Sequence, residues 1–104
     1  MSPLFIVENA KGPAYDRSLG RREQQGWEQH AAFMDRLVAE GTIVLGGPVG
    51  DVDEGETTLL VVRAEDEAAA RAAFEADPWY ESVLHVARVE PWTLWLGGLR
   101  SKET

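Results

Sequence analysis

The chain carries two histidines, His30 and His85, and histidine is the side chain best suited to taking and returning a proton near neutral pH. His30 follows Trp27 by three residues and precedes Met34 by four, a spacing that sets all three on one face of a helix. That face is apolar, so the imidazole points toward a core or toward a cavity beside the core. One reading is a general base; the plain alternative is a buried neutral histidine with a single satisfied hydrogen bond. His85 falls inside an apolar run near the C-terminal end. Two isolated histidines without carboxylates at ligand spacing do not make a metal site, so no metal is expected.

Asp77 is the second candidate. It stands at the C-terminal end of a helical pattern, where the macrodipole disfavours a carboxylate by about 0.3–1 kcal/mol, so something must compensate. The following Pro78 supplies one answer: Asp is a good N-cap and Pro suits the first helical position, so Asp77 caps a short turn over residues 78–82. The other answer is that Asp77 holds one tautomer of an imidazole and leaves its second nitrogen free to act as a base. Spacing alone favours the cap.

Four tryptophans are many for 104 residues. Large indoles suit core and interface packing, but Trp27 and Trp79 flank His30 and Asp77 in sequence and would also line a flat apolar pocket for an aromatic or unsaturated small molecule. Gly46-Gly47-Pro48-Val49-Gly50 lacks the Lys-Ser/Thr of a phosphate loop and opens no helix; it reads as a strand end that a ligand or neighbouring backbone can approach. The acidic run 51–56 lacks the register of a calcium loop and reads as a solvated hairpin tip. Arg17, Arg21 and Arg22 form the one basic cluster, either solvated or placed to receive an anionic substrate at a cavity mouth.

With 18 acidic and 10 basic residues the formal charge is −8, which weighs against a nucleic-acid partner. No apolar stretch approaches a membrane span and there is no cysteine, so a cytoplasmic protein without a membrane partner is expected. The length suits one domain, residues 1–97, followed by a polar tail at 98–104.

The order of elements follows from periodicity. Residues 3–9 predict a strand, 22–40 a helix ended by Gly41, 42–45 a strand with an irregular end at 46–50, and 57–63 a strand. Residues 66–76 predict a second helix, 78–82 a helical turn, and 83–89 a last strand that continues past Pro91 into 92–96. The class is α+β: a ferredoxin-like βαββαβ domain with a four-stranded antiparallel sheet. The second and third strands are apolar on both sides, which calls for a cover on the open face, and a second copy packed sheet to sheet would provide it.

Trp27-x-x-His30, Phe33-Met34-Asp35-x-Leu37, Glu40-Gly41, Leu45-Gly46-Gly47-Pro48, Asp77-Pro78-Trp79 and Val89-Glu90-Pro91-Trp92 occur in order over about residues 3–97. Together they resemble the YCII-related proteins, small members of the dimeric α/β-barrel superfamily. The resemblance implies a homodimer forming a dimeric α/β barrel, no cofactor, and a His–Asp pair in a cleft between helix and sheet. The pair falls on His30 and Asp77, which shifts the balance for Asp77 toward function; Trp27, Met34, Gly47, Pro48 and Trp79 are the expected substrate-binding residues. Arg21 and Arg22 stand two turns from His30, farther than the arginines of the commoner form. One branch of the family is similar in activity to dehydrochlorinases of chlorinated hydroxylated aromatics, and superfamily neighbours include muconolactone isomerases and cofactor-free quinol monooxygenases.

Two functions follow. The first is a cofactor-independent lyase or isomerase acting on a phenolic, chlorinated aromatic or lactone-type substrate, with His30 as base. The second is a non-catalytic dimeric module that binds a small ligand or partner. An RNA-binding module of the same topology is excluded, because the third strand offers no aromatic platform and the chain is acidic.

Overall fold

The computed structural model describes residues 3–52 and 55–97. Its strands are β1 (Leu4–Lys11), β2 (Ile43–Pro48), β3 (Thr57–Arg63) and β4 (Leu84–Pro91), and its helices are α1 (Trp27–Ala39) and α2 (Glu67–Ala72). All strand pairs are antiparallel and the sheet order is β2-β3-β1-β4, so the architecture is the α+β, ferredoxin-like one. Among the described residues no helix is long and apolar enough to cross a membrane.

One face of the sheet builds the core. Phe5 and Val7 of β1 pair with Val62 and Leu60 of β3, and with Val86 and Val89 of β4 they pack against Phe33 and Leu37 of α1 and Ala70 and Phe74 at α2. The period of two along β1 puts Phe5, Val7 and Asn9 on this side. On the other face Ile6 and Leu45 flank Val61, while Glu8, Arg88 and Glu90 form a charged row, with Arg88 bonded to both carboxylates at 2.9 Å. The open face is therefore apolar toward β2 and ionic toward β4.

The boundaries depart from the sequence reading where the backbone is special. α1 starts at Trp27 rather than 22, because Gly26 takes a left-handed φ of 84° and residues Arg21–Glu23 form a separate 3₁₀ turn. Its other end is as predicted: Gly41, again at φ 84°, donates to the Val38 carbonyl at 3.0 Å while Thr42 donates to that of Leu37 at 2.9 Å, the paired bonds of a Schellman stop. α2 starts on schedule, with the Asp66 carboxylate accepting from the Ala69 amide at 2.8 Å, but ends at Ala72; the remainder to Asp77 is a run of tighter i→i+3 turns. Residues 78–82 form turns rather than a helix.

The irregularity of β2 lies between Ile43 and Leu45 rather than at its glycines, and the strand runs on through Pro48. Proline is tolerated there because β2 is an edge strand. β1 extends to Lys11, two residues beyond the predicted end. β4 stops at Pro91: β1 has no residue left to pair beyond Leu4, whose carbonyl takes the Trp92 amide at 2.9 Å as the last rung. Trp95 and Leu96 are 88% and 90% exposed instead of continuing a strand. The acidic tip is tied down where it is described, since Arg17 grips both oxygens of Glu56 at 2.9 and 3.2 Å. Asp53, Glu54 and the 98–104 tail lie outside the described residues.

At the entry to β4, Glu81 adopts a φ of 52°, and its carboxylate meets His85 Nδ1 at 2.8 Å and accepts from the Val86 amide at 2.9 Å. The bond with His85, and then that from Val86, hold the Glu81 carboxyl below the usual carboxylate range. The folded state thus favours the ionised form, and the resulting stabilisation is present above the ordinary glutamate pKa and disappears as pH falls through the lowered one. Thermal melts should show Glu81→Gln less stable than wild type at neutral pH, the gap closing in acid; a gap independent of pH would refute the linkage. Backbone proximity gives a second test. A Cβ at Gly12 would fall 2.3 Å from the Ser82 carbonyl oxygen, whereas one at Gly47 meets nothing within 4 Å. Denaturant unfolding should show Gly12→Ala destabilised by about 1–3 kcal/mol and Gly47→Ala undiminished.

Candidate active site

The tight turns after α2 deliver Asp77 to the N-terminal end of α1. Asp77 is the first residue of a turn closed by the Tyr80 amide on its carbonyl at 2.9 Å, and Pro78 sets the next φ. Its Oδ1 accepts the Trp79 amide at 2.9 Å, the side-chain turn expected of Asp. The same carboxylate faces His30, in the first turn of α1, with Nδ1 at 3.0 Å from Oδ1 and 2.8 Å from Oδ2. Both residues are buried. One carboxylate therefore both closes the side-chain turn on the Trp79 amide and faces the imidazole.

Trp79 locks the pair in place. Its ring stacks on the His30 imidazole with centroids 4.1 Å apart and planes 10° from parallel, and its Nε1 donates to the Gln25 carbonyl at 2.8 Å. Gly26 makes room for the indole, since a Cβ there would lie 3.1 Å from Trp79 Nε1. Trp27 closes the group, tilted at 47° to both rings, 5.9 Å from His30 and 5.8 Å from Trp79.

An ionised carboxylate only accepts hydrogen bonds, so its contact with Nδ1 places the imidazole hydrogen on that nitrogen. The neutral ring then carries its lone pair on Nε2, and among the described residues Nε2 makes no hydrogen bond. An oriented imidazole with an available lone pair is equipped to accept a proton.

The remaining residues singled out in the sequence lie in several places. Met34 packs against the main core, one turn from His30. Gly47 and Pro48 sit on the edge strand β2, paired with Leu59 and Thr58; the backbone approached closely is at Gly46, where a Cβ would meet Leu60. Arg21 and Arg22 precede α1. Arg21 is buried, its Nε donating to the Val52 carbonyl at 3.3 Å, and Arg22 lies 5.9 Å over the Trp27 ring. His85 is in the exposed pair with Glu81. Among the described residues no group of three or more His, Asp or Glu is arranged to hold a metal.

A cavity of about 580 Å³ lies between the 14–26 loop and the 77–83 turn, lined by Asp16, Leu19, Glu23, Gln24, Pro78 and Trp79 among others. His30 and Asp77 do not line it; Trp79 is the wall it shares with them. The sequence reading passed over Lys11 and Tyr15, which are buried near this wall: Lys11 lies over the Tyr15 ring at 4.8 Å, and Tyr15 packs with Trp79, Val83 and Leu84. Asn9 already falls on the core face of the predicted strand, and carrying the alternation two residues further would have placed Lys11 there as well.

The model of the YCII-related domain matches residues 5–93. The chain belongs to this family. No curated protein and no solved structure matches it. In this YCII-related chain the segments bearing the His–Asp contact and its tryptophan clamp all fall inside the matched region.

Asp77→Ala would strand the Nδ1–H and the Trp79 amide in a buried site, at about 1–3 kcal/mol for each lost partner. Asp77→Asn keeps an acceptor for the Trp79 amide and should cost less. Denaturant melts check this ranking. Nitrogen-15 NMR should show neutral His30 protonated on Nδ1 in the wild type, and a mixture of tautomers in Asp77→Ala would support Asp77 as the orienting group.

Proposed function

We propose that this YCII-related protein is a cofactor-independent lyase or isomerase acting on a small phenolic, chlorinated aromatic or lactone-type molecule. The observation that carries the proposal is the buried contact of His30 Nδ1 with Asp77, clamped by the stacked Trp79. In this reading Nε2 takes a proton from the substrate. The electron pair left behind expels a leaving group such as chloride in a lyase, or shifts a double bond in an isomerase, where the protonated ring returns the proton at another carbon. Asp77 steadies the imidazolium formed on the way, and the half-buried Trp27 offers flat apolar surface to an unsaturated substrate.

A homodimer and a cytoplasmic location belong to the same proposal. The apolar half of the open sheet face, with Leu45 48% exposed beside Val61, supports a second copy packed there. The absence of cysteine suits a reducing compartment.

The test is turnover, or exchange of substrate C–H for deuterium in D₂O, over a panel of chlorinated hydroquinones and unsaturated lactones. His30→Ala should lower the rate by about 10²–10⁴-fold, and Asp77→Asn should lower it less. Turnover that survives His30→Ala would end the general-base reading. Saturable binding of the panel without turnover or exchange in the wild type would favour the ligand-binding module instead.

A further inference from the structure

The cavity between the 14–26 loop and the 77–83 turn takes no part in the His30–Asp77 contact, yet it has the build of a preformed site. Its volume of about 580 Å³ falls in the range of small-molecule pockets. Leu19, Pro78, Trp79 and Val83 give it apolar walls, and Trp79 is fixed by the bond from its Nε1 to the Gln25 carbonyl at 2.8 Å. The loop on its other side is held by Gln24, a buried side chain that also lines the cavity. Gln24 Oε1 accepts the Asp16 amide at 2.9 Å, and Nε2 donates to the carbonyls of Asp16, Leu19 and Gly20 at 2.8, 3.2 and 3.3 Å. Walls held in this way need little ordering when a ligand enters.

Among the residues lining this cavity the charged ones are Asp16 and Glu23, both acidic, and each carboxylate is oriented through one oxygen alone. Asp16 Oδ1 accepts from the Ser18 amide at 3.0 Å and the Ser18 hydroxyl at 2.6 Å, and Glu23 Oε1 accepts from the Gly20 amide at 2.8 Å. Among the described residues the second oxygen of each carboxylate makes no hydrogen bond. The bonds from Ser18 also hold the Asp16 carboxyl below the usual carboxylate range, so it is ionised at neutral pH. We propose that the cavity binds a small organic cation, a primary ammonium carried on an apolar or aromatic body. Asp16 and Glu23 supply the negative field and the acceptor oxygens, and the body lies against Leu19, which is 40% exposed, and against Pro78 and Val83. An anion would meet two like charges with no basic lining residue to offset them. Trp79 is the wall this site shares with His30, but the inference does not rest on the proposed function.

The full chain is titrated at neutral pH with phenethylamine and, as a neutral mimic of its shape, phenethyl alcohol, followed by nitrogen-15 NMR. Phenethylamine should bind saturably and shift the amides of Leu19, Gln24 and Gln25 and the indole N–H of Trp79, and phenethyl alcohol should bind several-fold more weakly. Asp16→Asn and Glu23→Gln keep the oxygens that Ser18 and Gly20 bond, and each should weaken phenethylamine by about two- to fivefold while leaving the alcohol unchanged. Ala14→Phe is the complementary probe. It places a ring in the cavity and leaves both carboxylates, and it should abolish the shifts. Equal affinity for amine and alcohol, affinity unchanged in both charge variants, shifts that persist in Ala14→Phe, shifts spread to the acidic stretch at residues 65–67, or no saturable binding would each overturn the inference. Phenethylamine binding with these dependences, in a protein that turns over no phenol or lactone, would uphold the site and count only against the general-base reading.

Discussion

The contact between His30 and Asp77 is the constraint around which the rest of the structure is arranged. It joins residues 47 positions apart and buries both polar groups, so each backbone segment must end within tenths of an ångström of the right place. A buried carboxylate left without partners is costly, and Asp77 avoids that by accepting from the Trp79 amide and the imidazole together. The left-handed Gly26, the early end of α2 and the tight turns leading into Asp77 are the backbone's means of meeting this requirement. Trp79 adds lateral restraint, since a ring stacked on one side and hydrogen-bonded at its edge leaves the imidazole little freedom to tilt.

Much of this was readable beforehand, and the exceptions have physical causes. The Trp27, His30 and Met34 spacing found the right face of α1, but a helix face is broad, and its successive turns meet different neighbours: His30 meets Trp79 while Met34 meets the main core. The helix start was misplaced because residues 22–25 are acceptable helix formers, and only the conformation at Gly26 separates them from α1. Asp77 was ambiguous because capping and pairing ask for the same residue type. Lys11 lies two residues past the predicted end of the first strand, and strand alternation says nothing about where a strand stops. The overreach at residues 92–96 has the complementary cause: those residues suit a strand, yet the neighbouring strand has ended.

Membership of the YCII-related family fixes the frame, and the chemistry has to be argued from the site. Two features stand side by side in it. One is an oriented imidazole held among aromatic rings, and the other is the approach of Lys11 and Arg21 to the buried Tyr15 ring at the end of β1. They share the Tyr15–Trp79 cluster, so a change in packing at either is felt at the other.

The face-to-face stack of Trp79 on His30 also gives the protein an optical reporter of its own. An imidazolium ring against an indole quenches its fluorescence, whereas a neutral imidazole quenches far less. Trp79 is 1% exposed and emits from an apolar setting, while Trp95, 88% exposed, emits from water and further to the red. The blue edge of the emission band thus reports on the rings packed about one histidine, Trp79 at 4.1 Å and the half-buried Trp27 at 5.9 Å.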